Sequence, residues 1–322
     1  VPVYSPVDVP VVGPGTPYVT PAMLRSAATG ISWTSIGGDG TTRPTQEQQY
    51  AEQLNICRRA SSSAAGYVNQ PLHATVDTEQ LTGPGDFRFQ LETNTGRAWL
   101  LLSRGPVTAV LGGQISPASS FPAQWTPLAA SQFRIRQPVI GVYGTTSPGG
   151  SGDGGQVVYL APGNATWLFG RNSYDVQVTY INGWPHTSLV SPAAAGDRLI
   201  HVDDCTGWGP PSGSTTGATG ILYDQGVQEV VTCTAASVVS GPGYLSLSAP
   251  LSYAHGYGVM CSTLPGSIQQ ATIFYAVSEA LARGSTATAV QAVPGSVVGS
   301  WGSSKDFEDA AKRLLHPYRR VI

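Results

Sequence analysis

Charge is scarce in this 322-residue chain. Asp, Glu, Lys and Arg together supply 11% of it, and the formal net charge is −2. Tight nonspecific binding to nucleic acid comes from many Lys and Arg contacts to phosphate, so a chain this neutral is not built to grip DNA. A run of about 18 apolar residues is also missing, so no membrane span is expected. The opening residues, VPVYSPVDVPVVGPGTP, lack a basic stretch followed by a continuous apolar core, so no signal peptide is expected. The four cysteines, Cys57, Cys205, Cys233 and Cys261, form no CxxC pair, which gives a zinc site little support. Cys57 falls on the apolar stripe of a predicted helix, and the other three lie in strand-like segments, all readable as small buried hydrophobes. A Cys205–Cys233 or a Cys233–Cys261 bridge stays open. There is no GxSxG, no P-loop and no HExxH.

What is abundant is glycine (39) and proline (25), beside 41% apolar residues. That mixture suggests many short strands joined by turns. Residues 1–17 carry five prolines alternating with valine. Proline fixes φ and removes a backbone donor, so this stretch reads as an extended arm, one that lies on a neighbour. Thr20-Pro21 opens a short helix running towards Gly30. A long helix is predicted from about Pro44 to Val68, with a stripe at Tyr50, Leu54, Cys57, Ser61, Ala64 and Val68, and Asn69-Gln70-Pro71 ends it. Ser61, Ala64 and Ala65 are small enough for another helix to approach closely.

Strand patterns follow, among them DFRFQLE, WLLLS, PVTAVL, QVVYLA and YDVQVTYI. The glycine-rich stretch 145–155 reads as a turn. RLIHVDD, GILYD, QEVVTCTA, YLSLSA and YGVMCS then give five short strands at regular spacing, as in small barrels or sandwiches. Residues 265–283 return to helix with apolar residues around most of the circumference. The last predicted helix starts at Ser303, with Asp306 completing a capping box, and its stripe is Phe307, Ala311 and Leu314. Pro317 stops it.

The expected fold class is α+β: a sequence-split helical bundle with an inserted antiparallel β region and an extended N-terminal arm. The expected units are the arm (1–17), the first helical part (18–72), an inserted β region (73–195), a second β unit (196–263) and the second helical part with a terminal tail (264–322).

Candidate chemistry is sparse. HVDDC, 201–205, is the one cluster of metal-ligand types, and in a strand His201 and Asp203 share a face. A strand end with acidic turn residues accounts for it better. Asp77 and Glu79 are the pair to offer for carboxylate catalysis. Asn164-Ala165-Thr166 spells a glycosylation tripeptide of a kind common by chance. No catalytic, cofactor or metal residue is assigned, and the expected class is a non-enzymatic one.

Three stretches together resemble the head–tail connector (adaptor, neck) proteins of tailed bacteriophages. They are YVTPAMLRSAATGISW with EQQYAEQLNICRRASSSAAGYVNQPLHATVDTE; LLLSRGPVTAVLGG with YDVQVTYINGWP; and the returning helix with AAKRLLHPYRRV. The order covers roughly residues 18–185 and 264–322, and residues 186–263 depart from the compact family pattern.

The resemblance implies a dodecameric ring of a structural virion protein between the portal and the rest of the neck. Its partners would be the portal protein, other copies of itself, and a downstream stopper or tail protein. Double-stranded DNA would pass through without sequence recognition. Such a protein works in the virion neck, is assembled in the bacterial cytoplasm, and needs no cofactor. The segment implied to dock on the portal is Leu314, Leu315, Pro317, Tyr318, Arg319, Arg320, Val321 and Ile322. Arg and Tyr suit interfaces, and Val321 and Ile322 gain by burial. The alternative is that this tail folds back on its own helices. Arg58 and Arg59 could face a lumen or make intersubunit pairs. The competing function classes are a carbohydrate-binding or polysaccharide-acting protein, with Trp99, Trp125, Trp167, Trp184 and Trp208 as candidate platforms, and another phage tail or decoration protein.

Overall fold

The computed structural model describes residues 16–29, 31, 33, 36, 44–83, 89–92, 97–117, 122–136, 157–160, 174–210, 217–224, 226–282 and 303–319. Several sequence expectations lie outside the described residues: positions 1–15 of the arm, the 145–155 turn, the Asn164 tripeptide, Trp167, and Arg320, Val321 and Ile322.

Four α-helices are described: α1 (Pro21–Ser26), α2 (Gln46–Val68), α3 (Gly266–Ala282) and α4 (Ser304–Leu315). Three of the starts have a local cause. Thr20 Oγ1 accepts from the Met23 N–H at 3.2 Å, ahead of Pro21. Thr45 and Gln48 form a reciprocal capping box on α2, and Ser303 and Asp306 do so on α4. Asn69 ends α2 in the left-handed region at φ 61°, which lets the chain turn into Gln70-Pro71. Helix α3 is buried on most sides because it lies between α2 and α4. Its Ile268, Ala271, Ala276 and Val277 share a core with Leu24, Ile56, Ala64, Phe307 and Leu315.

The rest is strand. β1 (Thr75–Gly83), β4 (Val107–Pro117), β5 (Thr126–Ala129) and β8 (Tyr174–Asn182) form one antiparallel sheet in the order β1-β8-β4-β5. A second antiparallel sheet has the order β2 (Phe89–Glu92), β3 (Arg97–Leu101), β7 (Val157–Leu160), β6 (Phe133–Arg136). The two share a core of residues that includes Leu81, Leu100, Val110, Phe133, Val176 and Tyr180, so they make a sandwich.

The third sheet has six strands: β10 (Leu199–Val202), β13 (Gly243–Leu247), β12 (Val227–Ala236), β11 (Thr219–Asp224), β14 (Met260–Ser262) and β9 (His186–Ser188), neighbours in that order. Beyond β9, Leu189 bridges Val202, and the Val190 N–H donates to the His201 carbonyl at 3.0 Å. The last strand therefore returns to the first and the sheet closes into a small barrel. Closure removes the free edges that would otherwise offer a pairing template. The interior holds Ile200, Trp208, Leu222, Val231, Leu245 and Cys261. Trp208 is fully buried against Gly220, where a Cβ would stand 2.6 Å from the indole.

The expected fold class is overturned. The described molecule is mostly β, with fourteen strands in three antiparallel sheets against four α-helices, rather than a helical bundle carrying a β insert. Helices α2 and α3 are long, 23 and 17 residues, so they dominate a reading by local pattern. Most strands are short and contribute little signal alone. Only pairing shows that they form the bulk of the architecture.

Candidate functional site

The helices, the sandwich and the barrel meet where residues 16–18, 70–74 and 183–188 cross. The Trp184 N–H donates to the Leu72 carbonyl at 3.0 Å, and the Ala74 N–H to the Trp184 carbonyl at 2.8 Å. Gly183 sits between them at φ +84°, where a Cβ would lie 2.4 Å from the His73 carbonyl oxygen, so only glycine fits. The Tyr18 N–H donates to Ser61 Oγ at 2.9 Å, which is what the small residues of α2 admit.

His186 lies at the centre of this crossing. Its Nε2 faces the carbonyl oxygens of Pro17 at 3.1 Å and Thr16 at 3.3 Å. Carbonyls only accept, so Nε2 carries the proton. Nδ1 then accepts from the Ser262 hydroxyl at 2.9 Å, and Ser262 Oγ accepts from the Leu264 N–H at 3.1 Å. Burial, with His73 nearby, pushes the imidazole down to about 4, so it is neutral at pH 7. The Tyr18 ring packs edge-on against it at 5.7 Å, and the Tyr18 hydroxyl stands 3.3 Å from His73 Nδ1. Burial also holds His73 below its ordinary value. Ser262 and His186 have the spacing of a nucleophile and its base. Both are buried beneath Thr16–Tyr18, however, and the serine oxygen is held by a backbone N–H. The arrangement is a lock between the N-terminal segment and the barrel. Sequence reading missed it, because the partners lie 76 and about 170 positions away.

The HVDDC cluster is dispersed. His201 is exposed and packs edge-on to Tyr244 at 6.2 Å. Asp203 accepts from the Ser188 N–H at 2.8 Å and from Thr16 Oγ1 at 3.0 Å. Asp204 accepts from the Thr206 N–H at 2.9 Å and the Gly241 N–H at 3.0 Å, which makes it a loop brace. Among the described residues no three His, Cys, Asp or Glu side chains converge as a metal site.

Asp77 and Glu79 do share a face of β1, yet their oxygens are taken. Asp77 pairs with Arg104 at 2.8 Å and accepts from Thr75 and Asn182. Glu79 accepts from the Ser103 N–H at 3.0 Å and from the Tyr180 hydroxyl. Burial, and then this carboxylate, keep Tyr180 protonated. The pair fastens the 103–105 turn to the sandwich.

Another grouping was not foreseen. His255 has a fully buried side chain, with Nδ1 3.2 Å from Asp224 and Nε2 3.2 Å from Glu229. The two nitrogens point opposite ways, so the trio cages an imidazolium and cannot converge on one ion. The Asp224 contact, against burial and helped by Glu229, raises His255 above its ordinary value.

No family model and no curated protein matches this chain.

The expected docking residues divide. Leu315 is fully buried in the helical core, and Leu314 is half-buried against it. Pro317 is exposed, within a single 3-10 turn, His316–Tyr318. The Tyr318 ring packs edge-on to Trp184 at 5.5 Å, and its hydroxyl stands 2.9 Å from Ser267 Oγ. The Arg319 guanidinium sits 5.4 Å over the Tyr67 ring. Through Arg319 the segment therefore lies on its own chain's helical layer. Arg59 bridges Glu52, at 3.0 Å, and Glu279 on α3, within its own chain, while Arg58 is exposed.

All four cysteines are buried free thiols, so neither bridge left open by the sequence is formed. Burial raises each, Cys233 to about 11. Trp208, offered as a sugar platform, is interior to the barrel, and Trp99, Trp125 and Trp184 are half-buried. No helix among the described residues is long and apolar enough to cross a membrane.

Proposed function

We propose that this protein is a structural subunit of the head–tail neck of a tailed bacteriophage virion. In this reading it forms a ring between the portal and the lower neck and continues the DNA channel. The observation that carries the reading is the shared helical core. Helices α1 and α2 pack with α3 and α4, about 200 positions later, and residues 316–319 lie on the same layer. Two of the three stretches that carry the resemblance to connector proteins supply these helices. The low, balanced charge suits a channel through which DNA must slide, because dense Lys and Arg contacts to phosphate would hold it.

The proposed partners are the portal protein, further copies of this chain and a stopper or tail protein, with DNA passing unrecognised. Since Leu315 and Tyr318 are held by their own subunit, docking on the portal falls to exposed Pro317 and to Arg320, Val321 and Ile322. The test is co-sedimentation of the full-length chain with the cognate portal ring, followed by particle imaging. A ring of this protein seated on the portal supports the reading. Failure to associate with the portal at any ratio overturns it. An Arg320→Glu, Ile322→Asp variant that still seats normally would overturn only the assignment of the docking segment.

A further inference from the structure

The loop that joins β13 to β14, residues 248–259, folds back against the segment 189–197 and the β11–β12 hairpin. Its backbone is tied down at several points. The Leu251 N–H donates to the Asp197 carbonyl at 2.9 Å, His255 and Ala193 exchange both backbone bonds at 2.9 Å, and the Gly258 N–H donates to the Leu189 carbonyl at 2.8 Å. Between those ties the turn at Ser252 and Tyr253 hangs on a side chain. The Ser252 N–H donates to Glu229 Oε1 at 2.6 Å, and the Tyr253 N–H to Glu229 Oε2 at 3.3 Å. Glu229 lies near the start of β12, so its carboxylate is the post to which the turn is fastened.

The same carboxylate faces His255. Glu229 Oε2 lies 3.2 Å from Nε2, and Asp224 Oδ2, at the end of β11, lies 3.2 Å from Nδ1. The imidazole is fully buried and each carboxylate side chain is 10% exposed, so water screens the three groups poorly. Charged groups on the neighbouring segment are turned elsewhere. Asp197 Oδ2 accepts from the Ala194 N–H at 2.7 Å, and Arg198 donates to the Ser248 carbonyl at 3.0 Å. The Tyr223 hydroxyl, beside Asp224, reaches Gln269, and Tyr253 and Tyr257 on the loop itself are exposed. Among the described residues the imidazole therefore answers to two carboxylates.

The protons on the ring set the behaviour. With both, the imidazolium offers one N–H to each carboxylate. With one, it offers a donor on one side and a lone pair on the other. One carboxylate then faces a lone pair at hydrogen-bond distance in a buried site, which is costly without compensation. The Asp224 contact does most to hold the proton, so Nδ1 keeps its hydrogen and Nε2 turns bare towards Glu229.

We infer that His255 is a protonation-gated clasp on the 248–259 loop: its imidazolium holds Glu229 beneath Ser252 and Tyr253, and loss of one proton pushes Glu229 away and frees that turn. The two carboxylates raise the value at which His255 lets go, so the clasp is closed at pH 6.5 and opens as pH rises further. The ties at Leu251, His255 and Gly258 run from backbone to backbone and stay. Tyr253, 52% exposed, is thus presented on fixed backbone below the transition and on loose backbone above it. This device is independent of the neck reading.

The test uses the full-length chain, isotopically labelled for NMR. Ring-nitrogen shifts follow the His255 proton from about pH 6 to about pH 8.5, and amide hydrogen exchange, corrected for the rate of an open chain, follows the turn. His255 should titrate above 6.5. Protection of the Ser252 and Tyr253 amides should fall about tenfold with the same midpoint, while the amides of Leu251, His255 and Gly258 keep theirs. In Glu229→Gln the side-chain carbonyl still accepts from the turn, and the amide N–H donates to a neutral imidazole. Protection at 252 and 253 should therefore hold across the range in that variant. A His255 midpoint at or below 6.5 overturns the inference, and so does protection of the turn that ignores the titration. Equal loss of protection in Glu229→Gln and the parent overturns it too. Should the variant fail to fold, the parent measurement alone decides.

Discussion

Replacing His186 with Gln should remove a specific part of the acid sensitivity of this protein. Folded His186 is neutral and binds its proton only near pH 4, whereas an unfolded histidine does so near 6.5. Between those values the unfolded chain holds more protons, so stability falls as pH falls. The contribution is complete above about pH 6.5 and is lost progressively down to about 4. Each tenfold difference in proton affinity is worth about 1.4 kcal/mol, so the full difference is about 3 kcal/mol. By pH 5 about 2 kcal/mol of it is already felt. Glutamine retains an N–H donor for the Thr16 and Pro17 carbonyls but never takes a proton. Urea unfolding followed by tryptophan emission at pH 7 and pH 5 gives the comparison. The parent should lose about 2 kcal/mol more than His186→Gln over that interval. His73, His255 and the carboxylates are common to both proteins and cancel. Identical losses would refute the neutral-imidazole lock.

Leu315→Ala should lower stability by about 2–5 kcal/mol, as core Leu truncations do, read from the urea midpoint. An unchanged midpoint would mean that the last turn of α4 is a free docking element. Gly220→Ala should destabilise the barrel by about 1–3 kcal/mol through overpacking against Trp208, visible as a lower thermal midpoint. The His255 cage should be strongest between about pH 4.5 and 6.5. The His255 contribution is complete below 6.5 and fades as pH rises through its raised folded value. Burial pushes Glu229 up, but donors from Ser252, His255 and Tyr253 outweigh it and hold Glu229 below 4.5, so its share is lost as pH falls through that lowered value. Hydrogen exchange of β11 and β12 should show this window in the parent and a flatter profile in His255→Gln.

Local signals were legible wherever a feature depends on neighbours in sequence. Thr20 ahead of Pro21, and Ser303 with Asp306 three residues later, announce the starts of α1 and α4. The stripe of Leu54, Cys57, Ser61, Ala64 and Val68 follows helical spacing and is buried as a stripe. The five segments from RLIHVDD to YGVMCS each carry a strand because their alternation is local. The proportion of strand to helix was misjudged, since short strands gain their weight from partners far along the chain. The same limit hid the His186 and His255 groupings. It also made HVDDC and the Asp77–Glu79 pair look more available than they are.

The sequence by itself determined the caps at Thr20 and Ser303, the end of α2 at Asn69-Gln70-Pro71 and the scarcity of charge, because each is set by residue types within a few positions. Only the tertiary structure decided that the six-stranded sheet closes through Leu189 and Val202, that Trp208 lies inside it, and that Leu315 and Tyr318 turn back onto their own chain. Those outcomes depend on which distant surfaces exclude water from one another, and burial of that kind is a property of the packed chain rather than of any stretch of it.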